Sequence, residues 1–258
     1  MKFMTQFVIP ASLFALISSS NATLLAHWTF DENSGTTAAD SSGNGLTATL
    51  AGATGSWVPG QAGSGYQLGG TNSRFELADS STLQTTGAVT VAAWIKPFAA
   101  SSFGVIAGID QTGGTSNDMY SLKTTGGDNL NFQVIGSGTN VNLTGDTLMS
   151  LSNNGADWVH VAGVYNPTSG FAGLYVNGSE VASTPSVPSS IQSVGTPFQI
   201  GHNASDSGGF PYLGAVDDVR VYDEALSESQ IGALAAIPEP SAVSLLMLAG
   251  LPLLRRRR

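Results

Sequence analysis

The chain has 258 residues, no cysteine, and 18 acidic against 9 basic side chains, a formal charge of −9 at pH 7. The missing cysteines rule out a disulfide-stapled scaffold and cysteine-based metal or redox chemistry. Between residues 23 and 236 the bases are Arg74, Lys96, Lys123 and Arg220 alone, which argues against nucleic acid or an anionic lipid surface as partner.

At the N-terminus, Lys2 is a short positive region, Phe7 to Ile17 an apolar run, and Ser20-Asn21-Ala22 a small-residue cleavage site. This order predicts a secretory signal peptide over residues 1–22 and a mature chain from Thr23. The following 214 residues, 23–236, hold β-branched and aromatic runs separated by Gly, Ser, Thr, Asn and Asp clusters, the pattern of one all-β sandwich domain. Strands are predicted at Leu25–Phe30, Arg74–Leu77, Val89–Lys96, Gly104–Ile109, Met119–Lys123, Leu130–Ile135, Trp158–Tyr165, Gly170–Val176, Phe198–Ile200 and Gly214–Tyr222. Val176-Asn177-Gly178-Ser179 predicts a tight hairpin, because Asn-Gly tolerates the positive φ of a type I′ turn. Ser183–Val194 reads as a long loop or an edge strand, since Pro185 and Pro188 cannot donate to a central ladder. Ser227-Glu228-Ser229-Gln230 predicts a capping box opening one short C-terminal helix, with Ile231 and Leu234 turned inward.

Past the domain stand Pro238-Glu239-Pro240, an apolar run from Ser241 to Leu254, and Arg255 to Arg258. As a helix the run would reach about 21 Å at ~1.5 Å per residue. That is short of the ~30 Å hydrocarbon core, so it suits a weak or transient anchor, with the arginines on the cytoplasmic side. The order of parts over residues 237–258 resembles the PEP-CTERM sorting signal of Gram-negative bacteria. The resemblance implies an exosortase-type membrane protease as partner and an inner-membrane anchor before processing. The cell surface or extracellular matrix, rich in exopolysaccharide, is then the destination. An ordinary tail anchor or a buried core helix is the alternative.

Four further segments carry a second resemblance. They are Ala26-His27-Trp28-Thr29-Phe30-Asp31-Glu32 running on to Asp40-Ser41-Ser42-Gly43-Asn44-Gly45, and Val89 to Pro97. Then come Trp158 to Tyr165 with Leu174 to Gly178, and Gly214 to Tyr222 with Ala225-Leu226-Ser227. Together, and in this order, they resemble a laminin-G-like jelly roll of the concanavalin A type. The resemblance implies two antiparallel sheets packed face to face, with the first and last strands together.

It also implies a structural calcium ion near the loop after the first strand. Asp40 and Asn44 offer side-chain oxygens there, and Asp217 on the last strand is the candidate to complete the shell of 6–8 oxygens that calcium takes. Asp-Ser-Ser-Gly-Asn-Gly is equally a good turn without metal. For a carbohydrate rim, Trp57, His202, Phe210 and Tyr212 are the candidates, being aromatic or polar residues in loop-like surroundings. His160, beside Trp158 in an apolar strand, is expected to be a hydrogen-bonded core residue. The adjacent acids Asp31-Glu32 and Asp217-Asp218 would point to opposite faces of a strand and so do not form a glycosidase pair. The Glu-x-Asp-x-x-Glu run of the glucanases that share the fold is missing. The sequence therefore points first to a non-catalytic exported surface or matrix protein. A lectin-like carbohydrate-binding module is the second reading and a polysaccharide hydrolase a distant third.

Overall fold

The structure is a computed structural model that describes residues 22–70, 72–77, 80–111, 117–203 and 210–236. Residues 1–21 of the signal peptide expected over 1–22, and the whole of the sorting signal expected over 237–258 with Pro238, Glu239 and Pro240, lie outside the described residues. No described helix is long and apolar enough to cross a membrane.

In chain order the first strands are β1 (Leu24–Trp28), β2 (Thr37–Ala38), β3 (Ala48–Ala51), β4 (Ser56–Pro59), β5 (Ser64–Gln67), β6 (Arg74–Leu77), β7 (Val89–Pro97) and β8 (Val105–Gly108). They continue as β9 (Tyr120–Thr124), β10 (Asn129–Ile135), β11 (Asn140–Thr147), β12 (Val159–Asn166), β13 (Phe171–Val176), β14 (Ser179–Thr184), β15 (Gln199–Ile200) and β16 (Gly214–Tyr222). Among the described residues there are also two short α-helices, α1 (Leu148–Leu151) and α2 (Glu228–Ala235), and a single 3-10 turn over Ser81–Leu83.

The strands form two antiparallel sheets. The first runs β14-β13-β12-β7-β16-β5-β4, with β1 also on β16; the second runs β11-β10-β9-β8-β15-β6-β3-β2. The chain's first and last strands thus pair, Trp28 opposite Val219 and His27 opposite Arg220, and the C-terminal strand buries an edge that β1 would otherwise leave open. Between the sheets lies one apolar core that includes Trp28, Phe30, Phe75, Val91, Ile95, Tyr120, Phe132, Val161 and Val219. The sheets touch closely where β12 crosses β10: a Cβ added at Gly163 would stand 2.1 Å from Phe132 Cδ2.

Outside the first sheet, α2 covers a smaller apolar cluster of Ala92, Ala162, Val164, Tyr175, Tyr222, Leu226 and Ile231. The capping box forms as expected, with Ser227 Oγ accepting from Gln230 N and Gln230 Oε1 accepting from Ser227 N at 2.9 Å. Asn177-Gly178 makes the β13–β14 hairpin, Asn177 at φ 48° and Gly178 at φ 84°. Strand β14, short and exposed along one side, occupies the sheet edge just before the proline-containing stretch.

Candidate functional site

The second sheet turns Phe75, Leu77, Tyr120, Leu122, Leu130, Phe132, Val134 and Ile200 into the core. Alternation then sends Arg74, Glu76, Ser121, Lys123, Asn131, Gln133 and Gln199 to its outer face. Register lines several of them up across the strands: Asn142 opposite Gln133, Gln133 opposite Ser121, Ser121 opposite Gly108, Gly108 opposite Gln199, Gln199 opposite Glu76, and Glu76 opposite Thr49. The row passes through Gly108 because nothing larger fits; a Cβ there would stand 2.5 Å from Ser121 Cα.

One end of the row is a pocket of about 470 Å³, lined by Arg74, Glu76, Gln111, Asn117, Gly195, Thr196, Pro197 and Gln199. Arg74 Nε donates to Glu76 Oε2 at 3.0 Å, and Gln199 Nε2 reaches the same oxygen at 3.5 Å. Gln199 is 3% exposed, yet its Oε1 has no hydrogen-bond partner among the described residues. That oxygen is a buried acceptor on a residue that lines a polar pocket. Such an atom costs about 1–3 kcal/mol when left unpaired.

Beside the pocket, Lys123 Nζ donates to Asp110 Oδ2 at 2.7 Å and also to Gln133 Oε1, while Ser121 Oγ donates to Asp110 at 3.1 Å. Asp118 accepts from Gln111 N at 2.7 Å. Burial first, and the charge of Asp110 second, push the Asp118 carboxyl up to about 6.

The residues expected to hold calcium behave differently from one another. Both Asp40 oxygens are already engaged: His27 N and Ser42 N donate to Oδ1 at 3.0 and 2.9 Å, Ser42 Oγ and Leu46 N to Oδ2 at 2.8 and 3.0 Å. Burial acts to raise this carboxyl, but those four donors outweigh it and hold it below the ordinary range. Asn44 turns its amide nitrogen to the carbonyls of Leu24 and Leu25, at 3.0 and 2.9 Å. The 40–45 loop is a turn tied to β1 by its own hydrogen bonds. Asp217 stands apart: it shares no hydrogen-bond partner with Asp40. Its Oδ2 accepts from Gln61 N and Ala62 N at 2.8 and 3.1 Å, and its Oδ1 is buried and unpartnered. Burial pushes it up to about 7. Its neighbour Asp218, at φ 49° in a bulge, receives His27 Nε2 at 2.5 Å and Arg220 Nη2 at 2.9 Å. Among the described residues no group of three or more His, Cys, Asp or Glu side chains is arranged to hold a metal ion.

The aromatic rim is corrected in two places. Tyr212 is fully buried, its ring filling the space over Gly214, where an added Cβ would come within 2.3 Å of the phenolic oxygen. His202 is equally buried, with Nδ1 2.6 Å from the Asn203 carbonyl. Neither side chain lies at the surface where a ligand could meet it. Trp57 is half-buried, edge-on to Tyr66 with centroids 5.0 Å apart. Phe210 does face solvent, 40% exposed and 5.4 Å from the exposed ring of Phe103. His160 is buried as expected, but on the outer face of the first sheet against Trp94, and its Nδ1 has no partner. Burial lowers it to about 4, so it is neutral.

A family profile described as the concanavalin A-like lectin/glucanases superfamily matches residues 68–232. No curated protein sequence is significantly similar to the chain. Among solved structures, domain 4 of AbnA, a GH43 extracellular arabinanase from Geobacillus stearothermophilus in complex with arabinotriose, is 26% identical with a TM-score of 0.61. The match covers 83% of this chain and 98% of that one. The binding domain of Paraclostridial Mosquitocidal Protein 1 is 16% identical, with a TM-score of 0.62 over 83% of this chain and 52% of that one. The binding domain of botulinum neurotoxin DC in complex with SialylT is 14% identical, with a TM-score of 0.60 over 83% and 50%. The chain therefore spans about half the length of the toxin binding domains, whose likeness is one of fold, and nearly all of the arabinanase domain.

Proposed function

Because the chain belongs to the concanavalin A-like lectin/glucanase superfamily, we propose that it is an exported, non-catalytic module that binds a neutral glycan in the pocket of Arg74, Glu76 and Gln199. The observation that carries this reading is the buried, unpartnered Oε1 of Gln199. A sugar hydroxyl donating to that oxygen would satisfy it, and the surrounding Gln111, Asn117 and Thr196 offer further amide and hydroxyl partners of the same kind. Arg74 and Glu76 neutralise one another, so the pocket favours a neutral ligand over an acidic one. Its lining holds one carboxylate, whereas glycoside hydrolysis normally takes two. Arabinotriose, present in the domain 4 structure, is the natural first probe. The test is a panel of neutral oligosaccharides led by arabinotriose, against the native chain and Gln199→Ala. Binding lost in the variant supports the reading, and binding unchanged by it refutes it.

The route to the cell exterior rests on the two terminal segments. Residues 1–22 would direct export, and residues 237–258 would hold the chain in the inner membrane until an exosortase-type protease releases it to an exopolysaccharide-rich matrix. The Pro-Glu-Pro, apolar and arginine order supports this.

For calcium, Asp40 does not fit, since both its oxygens are taken up within the turn, whose Asn44 spends its amide nitrogen on the Leu24 and Leu25 carbonyls. Asp217 does, through its unpartnered Oδ1. It would hold the ion beside the 60–64 loop and would have to recruit the rest of the oxygen shell that calcium requires. The bound ion would supply a counter-charge to a buried carboxylate and pin the β4–β5 turn.

A further inference from the structure

Both ends of the described chain leave the domain from one place. Thr23 N donates to Asp223 Oδ1 and Asp223 N to the Thr23 carbonyl, each at 3.2 Å. Ala22, Leu24 and Leu234 pack on the small apolar cluster beneath α2, on the outer face of the first sheet. The pocket of Arg74, Glu76 and Gln199 is on the outer face of the second sheet, the opposite side of the sandwich.

Distances turn this into a constraint. Two packed sheets lie about 10 Å apart. A covering helix adds roughly another 10 Å. With the outer side chains of the second sheet, the pocket face is about 25 Å from the helix where the chain exits. Between Ala235, the last residue of α2, and the apolar residues from Ala242 on, only 236–241 intervene. Fully stretched, six residues reach about 20 Å. To lay the pocket on a membrane that holds the apolar run, the exit point would have to stand farther from the lipid than this linker allows.

We propose that the chain engages its glycan while still held in the membrane, with the α2 face turned to the lipid and the pocket turned outward. This rests on the glycan reading of the pocket and on residues 242–254 being held by lipid. Anchoring and binding are then compatible, and release is not a precondition for capturing a polysaccharide.

The native sequence has no cysteine, so single labels are unambiguous. The full chain, carrying a donor dye at Ser229→Cys on α2 or at Thr49→Cys on the outer face of β3, is reconstituted into phosphatidylcholine vesicles with acceptor-labelled lipid. Both positions are exposed. Energy transfer at least twofold stronger from position 229 than from position 49 is expected. Arabinotriose should bind the vesicle-held chain within twofold of its affinity for the same chain in detergent. Equal or reversed transfer overturns the orientation. Binding in detergent that disappears on vesicles overturns the compatibility. A chain that does not enter vesicles removes the anchor and the proposal with it. Unequal transfer with no binding in either setting refutes the glycan reading, and that failure is separate from the orientation.

Discussion

Single side chains divide this domain's polar groups into those that finish a turn and those that await a partner. Asp40 belongs to the first kind, with four donors on two oxygens. Gln199 Oε1 and Asp217 Oδ1 belong to the second. The calcium proposal gives these two acids opposite predictions. A ligand bound only by the folded state stabilises it by about 2.7 kcal/mol at a hundredfold excess over Kd. Millimolar calcium should therefore raise the melting temperature of the native chain, and Asp217→Asn should remove the rise. Asp40→Asn should keep the rise while lowering the baseline, because the turn loses its charge-assisted hydrogen bonds. No difference between chelator and calcium in the native chain would show that Asp217 holds no ion. Asp118 supplies a pH prediction. Burial and Asp110 lift its carboxyl from 3.8 to about 6. Between those values the folded chain keeps a proton that the unfolded chain has lost, so this residue's contribution to stability is present at low pH and fades as pH rises through about 6. Denaturant titrations from pH 4 to 7 should show that decline in the native chain and a flatter profile in Asp118→Asn.

Secondary elements show where pattern is legible and where pairing is not. Long central strands announced themselves: Val89–Lys96 and Gly214–Tyr222 were expected within a residue of β7 and β16. The Asn177-Gly178 hairpin and the Ser227 capping box have local chemistry that needs no tertiary context. Six strands escaped: β2 to β5, β11 and β14. Most are short. β11, Asn-Val-Asn-Leu-Thr-Gly-Asp-Thr, alternates clearly but is rich in residues that usually mark loops. The pocket was hidden for a related reason. Both Arg74–Leu77 and Phe198–Ile200 were expected as strands, and alternation alone puts Arg74, Glu76 and Gln199 on the non-core faces. What the sequence does not carry is that β15 inserts between β6 and β8, and so brings Gln199 against Glu76, 123 positions earlier in the chain. The opposite error placed Tyr212 and His202 on a rim, because loop-like composition says nothing of whether a loop folds inward. One element contact is directly testable. A Cβ at Gly163 would overlap Phe132 across the two sheets, so Gly163→Ala should cost about 1–3 kcal/mol by overpacking. Phe132→Leu in the same chain should recover part of it. An unchanged denaturation midpoint in Gly163→Ala would mean the sheets are farther apart at this crossing.

At the scale of the whole molecule, the proposed anchoring and glycan binding fall on opposite faces of the sandwich. The first sheet gathers both ends of the described chain and α2, and the second presents the polar pocket. The sorting proposal predicts that the intact mass of the extracellular form lacks Met1–Ala22 and the arginine-rich end, and that Glu239→Ala leaves the chain in the membrane. Recovery of extracellular chain ending at Arg258 would contradict it. Glycan binding stands or falls with the pocket, and the side-chain amide of Gln199 is its own reporter. In an NMR titration of the full chain in detergent with arabinotriose, saturable shifts of the Gln199 side-chain amide and of the Thr196 and Gln111 backbone amides are expected. Shifts confined to the surroundings of Trp57 or Phe210, with Gln199 unmoved at saturation, would contradict it.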